Sequence, residues 1–270
     1  MISGERHFFL NEETNFLYCV EYIPDISIAK NYAVILCKPI WGERIRTHRI
    51  FTNLARLLMN MGFTVITCDY LCDGNSSGET LKLTYPKMVD SVIHVYDYLK
   101  KQYQPGRYAL IGLRLGANVA ASAAGSIQQL KKLILFEPIL NPIDDFTRAL
   151  RANLSNQTVV HKKIIKTRED LIHDIKNGIP VNVDGFLVGK ELWESIEAIS
   201  PFNARSSFMG DALICSLAPP GKAGTNLSQI GNLFVNARTE AIEQEFIWTG
   251  WKHYMCAPPV FFNTIRSELQ

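Results

Sequence analysis

Residues 108–120 place an arginine where a strand turns sharply into a helix. The strand ends at Gly112, Arg114 follows two positions later, and Gly116 lies in an Ala-rich helix predicted over residues 115–128. Glycine on both sides of the arginine permits a tight turn and a close approach of helix to strand. Because a guanidinium stays protonated at physiological pH, Arg114 cannot act as a nucleophile.

Arg114 is predicted to point into a crevice at the N-terminus of that helix. This helix end carries about half a positive charge, so a cation there is unfavourable unless a negative group joins it. One interpretation is a carboxylate, phosphate or sulfate ligand bound by Arg114 and the helix. The other is an internal acid, either Glu137 or one of the pair Asp144 and Asp145, that neutralises the arginine. The sequence leaves both interpretations open.

The elements that must position Arg114 alternate between strands and helices over residues 32–140. The predicted strands are 5–11, 15–23, 32–38, 63–68, 108–111 and 133–136. The predicted helices, read from their apolar period, are 48–61, 86–103 and 115–128. The first two strands form an antiparallel pair, and the remaining order implies an α/β protein with a mostly parallel sheet and helices on both faces. The crevice is expected at the carboxyl ends of the strands.

Residues 141–205 interrupt this alternation, and their length suits a cap inserted over the crevice of a core formed by residues 1–140 and 206–270. A basic run at residues 161–166 is interpreted as a solvated helix face, or as a patch that steers an anionic substrate. The other elements expected in this half are helices at 168–177 and 190–199, strands at 212–217 and 244–249, and a helix at 257–269.

The composition of the 270-residue chain excludes several classes of protein. Hydrophobic residues make up 47% and charged residues 20%, which is typical of a globular protein. The net charge of +2 predicts no general attraction to nucleic acid or anionic membranes. A charged N-terminus and the lack of a long apolar run predict neither a signal peptide nor a membrane span. The six cysteines are scattered, which predicts a cytoplasmic protein with buried thiols. They form no C-x-x-C pair, so neither a metal site nor a cofactor is predicted.

Three segments resemble α/β-hydrolases of the serine aminopeptidase-like branch. The segment from Gly112 to Gly116 is similar to their G-x-S-x-G nucleophile elbow, residues 69–78 resemble a Gly-rich loop of the branch, and residues 39–44 stand where the first oxyanion-hole loop lies. Gly-Leu-Arg-Leu-Gly is similar to the elbow of exosortase A system-associated hydrolases, in which arginine likewise replaces the serine. The resemblance implies the α/β-hydrolase fold, a hydrolase and a role beside polysaccharide-export or protein-sorting genes.

The resemblance also implies positions for the other site residues. The backbone N–H of Leu115 and one near Ile40 are expected to form the oxyanion hole. No carboxylate follows the strand that resumes the sheet, so Glu137 or Asp144 is the candidate for a displaced acid. His253, after the last predicted strand, stands where the catalytic histidine is expected; the alternative is a packed or surface histidine.

Three functions are compatible with these residues. The first is an enzyme that binds an anionic or acyl or thioester substrate in the crevice and uses chemistry without serine, with His253 as acid or base. The second is a non-catalytic pseudo-hydrolase that acts as a binding or scaffold protein. The third is a hydrolase with a relocated nucleophile at Cys37, Cys72, Ser76 or Ser77, where a thiol needs a lowered pKa to attack. A homodimer is compatible with each function.

Overall fold

A computed structural model describes residues 3–12, 14–203, 207–250 and 256–270. The strands within these ranges are β1 (Gly4–Glu12), β2 (Asn15–Ile23), β3 (Tyr32–Cys37), β4 (Thr64–Cys68), β5 (Arg107–Leu113), β6 (Leu130–Phe136), β7 (Val181–Val183), β8 (Phe186–Val188), β9 (Asp211–Ala218) and β10 (Asn236–Glu243). Eight of them form one sheet in the order β1-β2-β4-β3-β5-β6-β9-β10. The pairs from β4 to β10 are parallel, whereas β2 pairs with β1 and β4 in the antiparallel direction. The predicted mostly parallel sheet is confirmed.

Helices cover both faces of this sheet. They are α1 (Trp41–Asn60), α2 (Tyr85–Tyr103), α3 (Leu115–Ala123), α4 (Pro142–Ala149), α5 (Arg151–His161), α6 (Arg168–Lys176), α7 (Lys190–Glu197), α8 (Ser228–Gly231) and α9 (Pro259–Glu268), with 3-10 turns at Thr80–Lys82 and Ala124–Ser126. Within the described ranges, no helix is long and apolar enough to cross a membrane.

The central strand β3 is buried along its whole length because its side chains supply two cores. Ile35 and Cys37 pack into the core that includes residues of α2 and α3. Val34 and Leu36 pack into the core that includes residues of α1 and α9. Successive side chains of a strand point to opposite faces, so a strand covered on both sides reads as a continuous apolar run.

Two predicted elements are wrong in position. The last strand was expected at residues 244–249, but it is β10, over Asn236–Glu243. β10 lies at the sheet edge and is mostly exposed and polar, so it lacks the apolar signal on which the prediction depended. Helix α1 begins at Trp41, not at residue 48, because its first two turns carry polar residues outside the apolar stripe.

The segment between β6 and β9 contains four helices and a small antiparallel hairpin of β7 and β8. The two predicted helices at 168–177 and 190–199 correspond to α6 and α7. The sequence pattern did not predict α4, α5 and the hairpin. The basic run at residues 161–166 is exposed throughout; it begins at His161, the last residue of α5, and its other residues lie beyond the helix.

Candidate functional site

Arg114 occupies a strained turn between β5 and α3. Its backbone has φ 55° and ψ −128°, a conformation that residues with a side chain rarely adopt. The Arg114 N–H donates to the carbonyl of Phe136 on the neighbouring strand, at 2.9 Å. A Cβ atom at Gly116 would lie 2.3 Å from the carbonyl oxygen of Cys37, so only glycine lets α3 approach the end of β3. The turn therefore has the sharp geometry that the two glycines predict.

The guanidinium of Arg114 is held between two carboxylates. Its Nε–H donates to Glu43 Oε1 at 3.1 Å, and its Nη2 donates to both carboxylate oxygens of Asp145, at 2.9 and 3.0 Å. The indole ring of Trp248 lies 5.1 Å from the guanidinium carbon, within cation–π distance. Only 14% of the Arg114 side chain is exposed. Helices α1 and α4 thus supply the acids that neutralise the elbow position.

Burial and the neighbouring opposite charges shift the pKa values of these groups in opposite directions. Burial raises the pKa of Glu43, and the nearby Arg114 only partly offsets this effect. Burial by itself lowers the pKa of Arg114, but the charges of Glu43 and Asp145 raise it overall. Arg114 therefore remains a cation, and this one cation contacts the carboxyl groups of both Glu43 and Asp145.

The three sequence-predicted acids separate in the structure. Asp145 contacts Arg114, whereas Asp144 is exposed on α4 and accepts a hydrogen bond from Asn141 Nδ2 at 2.6 Å. Asp144 does not contact Arg114 in this structure, and its role as a displaced acid stays a prediction. One residue along a helix rotates a side chain by about 100°, so neighbouring residues cannot both face the crevice.

Glu137 follows β6 and binds the end of β9 instead of Arg114. Its Oε1 accepts from the Leu217 N–H at 2.6 Å, and its Oε2 accepts from the Thr225 hydroxyl at 3.4 Å. Burial raises the pKa of Glu137, while the Leu217 N–H and the charge of Arg114 lower it. His253, the predicted acid or base, lies outside the described residues.

Leu115 and Ile40, the residues predicted at the oxyanion hole, line the same cavity. Leu115 is the first residue of α3, so its N–H has no acceptor within the helix. Ile40 immediately precedes α1, and both residues are buried. Gly116 brings this helix end against the segment that carries Ile40, because its Cα lies beside the carbonyls of residues 37 and 38.

The cavity beside Arg114 has a volume of about 230 Å³ and a mainly apolar wall. Its apolar lining residues are Ile40, Trp41, Leu115, Ile139, Phe146, Ala149, Ala152 and Val183. Its charged lining residues are Glu43, Arg46, Asp145 and Asp184. Arg46 lies 3.2 Å from Asp184, so the cations beside this cavity are ion-paired. The segment between β6 and β9 supplies much of the wall.

The candidates for a relocated nucleophile are in unsuitable surroundings. Burial raises the pKa of the Cys37 thiol well above its usual value, and it also raises the pKa of Cys72. The Ser76 hydroxyl donates to the carbonyl of Asp69, and the Ser77 hydroxyl donates to the carbonyl of Phe16. Cys37 packs in the core at the end of β3, whereas Cys72, Ser76 and Ser77 are part of the Gly-rich loop at residues 69–78.

The sequence pattern did not identify Glu43 and Trp248 as partners of Arg114. Glu43 lies 71 positions away along the chain, in the polar first turn of α1. Trp248 falls in a segment predicted as a strand, although the turn it occupies buries its ring. In the sequence, the only signal for these partners is that Arg114 requires a negative charge nearby. That requirement does not indicate which residue supplies the charge. In the described part of the chain, no three His, Cys, Asp or Glu side chains are placed to hold a metal ion.

No protein-family model matches the sequence, and no curated protein matches it. Solved structures do resemble the fold. The esterase Est1E from Butyrivibrio proteoclasticus is 13% identical over 99% of this chain and 98% of its own, with a TM-score of 0.67. The Pyrococcus furiosus esterase Pf2001 is 13% identical over 99% and 90%, with a TM-score of 0.64.

The proline iminopeptidase of Mycobacterium smegmatis is also similar. It is 15% identical over 98% of this chain and 97% of its own, with a TM-score of 0.59. Identities this low establish the architecture and leave the activity to the site. Together with the sheet order and the sharp turn at Arg114, these similarities show that the chain has the α/β-hydrolase fold.

Proposed function

We propose that this chain is a pseudo-hydrolase that binds an uncharged acyl group in the cavity beside Arg114, without acyl-enzyme chemistry at the elbow. The observation that carries the proposal is the guanidinium of Arg114, fixed by Glu43 and Asp145 at the position of the nucleophile. A guanidinium has no lone pair for attack on a carbonyl carbon. The Leu115 N–H at the start of α3 still provides a donor for a ligand carbonyl.

The charges around the cavity favour an uncharged ligand over an anion. Arg114 already contacts two carboxylates, and Arg46 contacts Asp184. A ligand anion would have to displace one of these acids while the other stays nearby. Like charges in a partly buried site repel strongly, so such an exchange is unfavourable. The charges around the cavity are therefore compatible with an acyl ligand and unfavourable for an anionic one.

The apolar wall supports a short acyl chain. Trp41 and Phe146 pack against each other, with ring centroids 4.8 Å apart, and both line the cavity. Burial of each methylene group in such a wall contributes about 0.8 kcal/mol. The volume of about 230 Å³ accommodates a short acyl chain. The ligand class is therefore a small ester, amide or thioester.

The absence of serine-type chemistry is tested by labelling. We expect the wild-type protein to show no labelling by a serine-directed fluorophosphonate and no turnover of p-nitrophenyl butyrate, because Arg114 occupies the elbow. Mass spectrometry of the intact protein measures the labelling, with an active serine esterase as the positive control. Stoichiometric labelling of this chain at any serine would contradict the proposal.

Filling the cavity tests where the acyl group binds. Ala152 of α5 lines the cavity, whereas Ser155 lies on the exposed face of the same helix. We expect methyl butyrate and butyramide to raise the melting temperature of the wild type and of Ser155→Phe, but not that of Ala152→Phe. A ligand at about 100 times its Kd adds about 2.7 kcal/mol to stability, which thermal unfolding resolves. Stabilisation by butyrate alone, or an equal response of Ala152→Phe, would refute this assignment.

A second candidate is proton transfer on a bound acyl thioester. It is favoured by the raised pKa of Glu43, which lines the cavity and keeps a larger protonated fraction than an ordinary carboxyl group. The test is exchange of the α-protons of butyryl thioester in deuterated water, followed by mass spectrometry. Exchange by the wild type that is lost in Glu43→Gln would support catalysis, with His253 as a further acid or base to test. No exchange above the rate in buffer would leave only the binding role.

The proposal includes the finer expectations from the sequence. Residues 141–205 act as a cap, because Phe146, Ala152 and Val183 of that segment line the cavity.

The arginine elbow supports a place among exosortase A system-associated hydrolases, with a cytoplasmic location and a role beside polysaccharide export. Loss of exported polysaccharide in cells that lack the gene would support that role. Size-exclusion chromatography with light scattering decides between the monomer and the proposed homodimer.

A further inference from the structure

A second cavity, of about 540 Å³, lies between the β1–β2 hairpin and α1 and shares no lining residue with the cavity beside Arg114. One wall is the face of β2 that carries Tyr18, Val20 and Tyr22. Helix α1 forms the opposite wall, and Lys38 and Thr67 line the cavity from the ends of β3 and β4. Because it lies outside the proposed acyl site, a ligand here does not depend on the proposed function.

A buried ion pair lines this cavity. Lys38 Nζ lies 2.9 Å from Asp69 Oδ1, and the two side chains are only 9% and 5% exposed. Asp69 also receives Arg44 Nη1 at 3.3 Å and the backbone N–H of Asn75 at 3.0 Å. The carboxylate is therefore saturated with donors. The ammonium group of Lys38 has three N–H bonds and directs one of them to Asp69, so it retains donors for a ligand.

Thr67 places an unused hydroxyl beside this pair. Its side chain lines the cavity, the residue is 7% exposed, and no described residue forms a hydrogen bond with its Oγ1. It lies opposite Val20 in the pairing of β4 with β2, on the face that carries the cavity. Buried hydroxyl groups nearly always have a partner, so this one is available to a ligand.

The acid at the rim is also neutralised by neighbouring donors. Glu5 accepts two hydrogen bonds from Arg56 and contacts His7 Nε2 at 3.0 Å, so its charge is already matched. The Tyr18 hydroxyl lies 2.6 Å from His7 Nδ1, and the exposed His48 lines the cavity from α1. The carboxylates that line this cavity are thus occupied, while donors remain. The complementary ligand is a group with several acceptor oxygens and negative charge.

We propose that this cavity binds a phosphate monoester, with its oxygens on Lys38 and Thr67 and its organic group against Tyr18 and Val20. The volume of about 540 Å³ is much larger than a phosphate ion requires, and the half-buried side chains of Tyr18 and Val20 offer an apolar surface for a second group. The phosphate oxygens supply the acceptors that the Thr67 hydroxyl and the remaining Lys38 N–H groups lack.

The test compares phenyl phosphate, phenol and inorganic phosphate by isothermal titration calorimetry. Thr67→Val removes the hydroxyl but keeps the shape, and it breaks no hydrogen bond to a described residue. Thr64→Val is the matched control, because Thr64 lies in the same strand but does not line the cavity. We expect the wild type and Thr64→Val to bind phenyl phosphate equally and Thr67→Val to bind it about 10-fold more weakly. Phenol should not bind.

Three outcomes would overturn the assignment. The first is the absence of phenyl phosphate binding by the folded wild type. The second is equal binding by Thr67→Val, which would place the ligand elsewhere. The third is equal affinity for inorganic phosphate, which would overturn the monoester and leave a simple oxyanion. The Ala152→Phe variant, in which the cavity beside Arg114 is filled, should still bind phenyl phosphate. This result would show that the phosphate site is independent of the proposed function.

Discussion

Replacement of Arg114 by methionine is expected to lower the free energy of unfolding by about 3 kcal/mol at neutral pH. The change leaves Glu43 and Asp145 beside each other without the cation that both contact. Removal of one partner from a buried ion pair costs about 3–5 kcal/mol because the remaining charge is uncompensated. The lower end applies here, since about a quarter of each carboxylate side chain is exposed. Urea denaturation measures the loss.

The destabilisation should shrink as the pH falls. The folded pKa of Glu43 is already raised by burial, and loss of Arg114 raises it further. A group with a raised folded pKa supports stability below its unfolded pKa and loses that contribution as the pH rises through the folded pKa. The difference between the wild type and Arg114→Met should therefore be small at about pH 4 and grow towards neutral pH.

Arg148→Met is the matched control for this prediction. Arg148 contacts the same Asp145 at 2.9 Å, but its side chain is 59% exposed and it lies on the same helix. Exposed ion pairs contribute about 0–1 kcal/mol, so this variant should remain close to the wild type. A stable Arg114→Met protein with no pH-dependent loss would show that the carboxylates do not depend on Arg114.

Replacement of Gly116 by alanine is expected to lower the free energy of unfolding by about 2–3 kcal/mol and to abolish ligand binding in the cavity beside Arg114. The new Cβ would lie 2.3 Å from the carbonyl oxygen of Cys37 and 2.4 Å from that of Lys38. Both contacts are with backbone, so α3 must move away from the end of β3. Overpacking of this kind costs about 1–3 kcal/mol. The same movement separates Leu115 from Ile40, which line the cavity together.

Gly42→Ala is the control for this second prediction. Gly42 also lies in the first turn of a helix beside the cavity, but its Cβ would meet only the end of the flexible Arg46 side chain, at 2.7 Å. Alanine also favours a helix by about 1 kcal/mol over glycine, so this variant should unfold no earlier than the wild type. Thermal unfolding of both variants, with and without butyramide, measures the contrast. Equal behaviour of the two variants would contradict the proposed close approach.

Features that depend on local pattern could be predicted from the sequence. The continuous apolar run of β3 identified a strand covered on both faces, and Gly112 and Gly116 identified the sharp turn that carries Arg114. Arg114 also led to the prediction that no serine-type nucleophile acts at the elbow. The predictions of the strand and of the turn succeeded because backbone preference and apolar period act over a few residues. The edge strand β10 was missed because a solvated edge leaves little apolar pattern.

The contacts between distant residues could not be predicted in this way. The sequence required a negative partner for Arg114, but Glu43 comes from 71 positions away and Asp145 was chosen over Asp144 by the rotation of α4. The unpaired hydroxyl of Thr67 likewise becomes visible only when β2, β4 and α1 enclose a cavity. Charge pairing and burial depend on distance in space, and residues far apart in the chain carry no local signal of their contact.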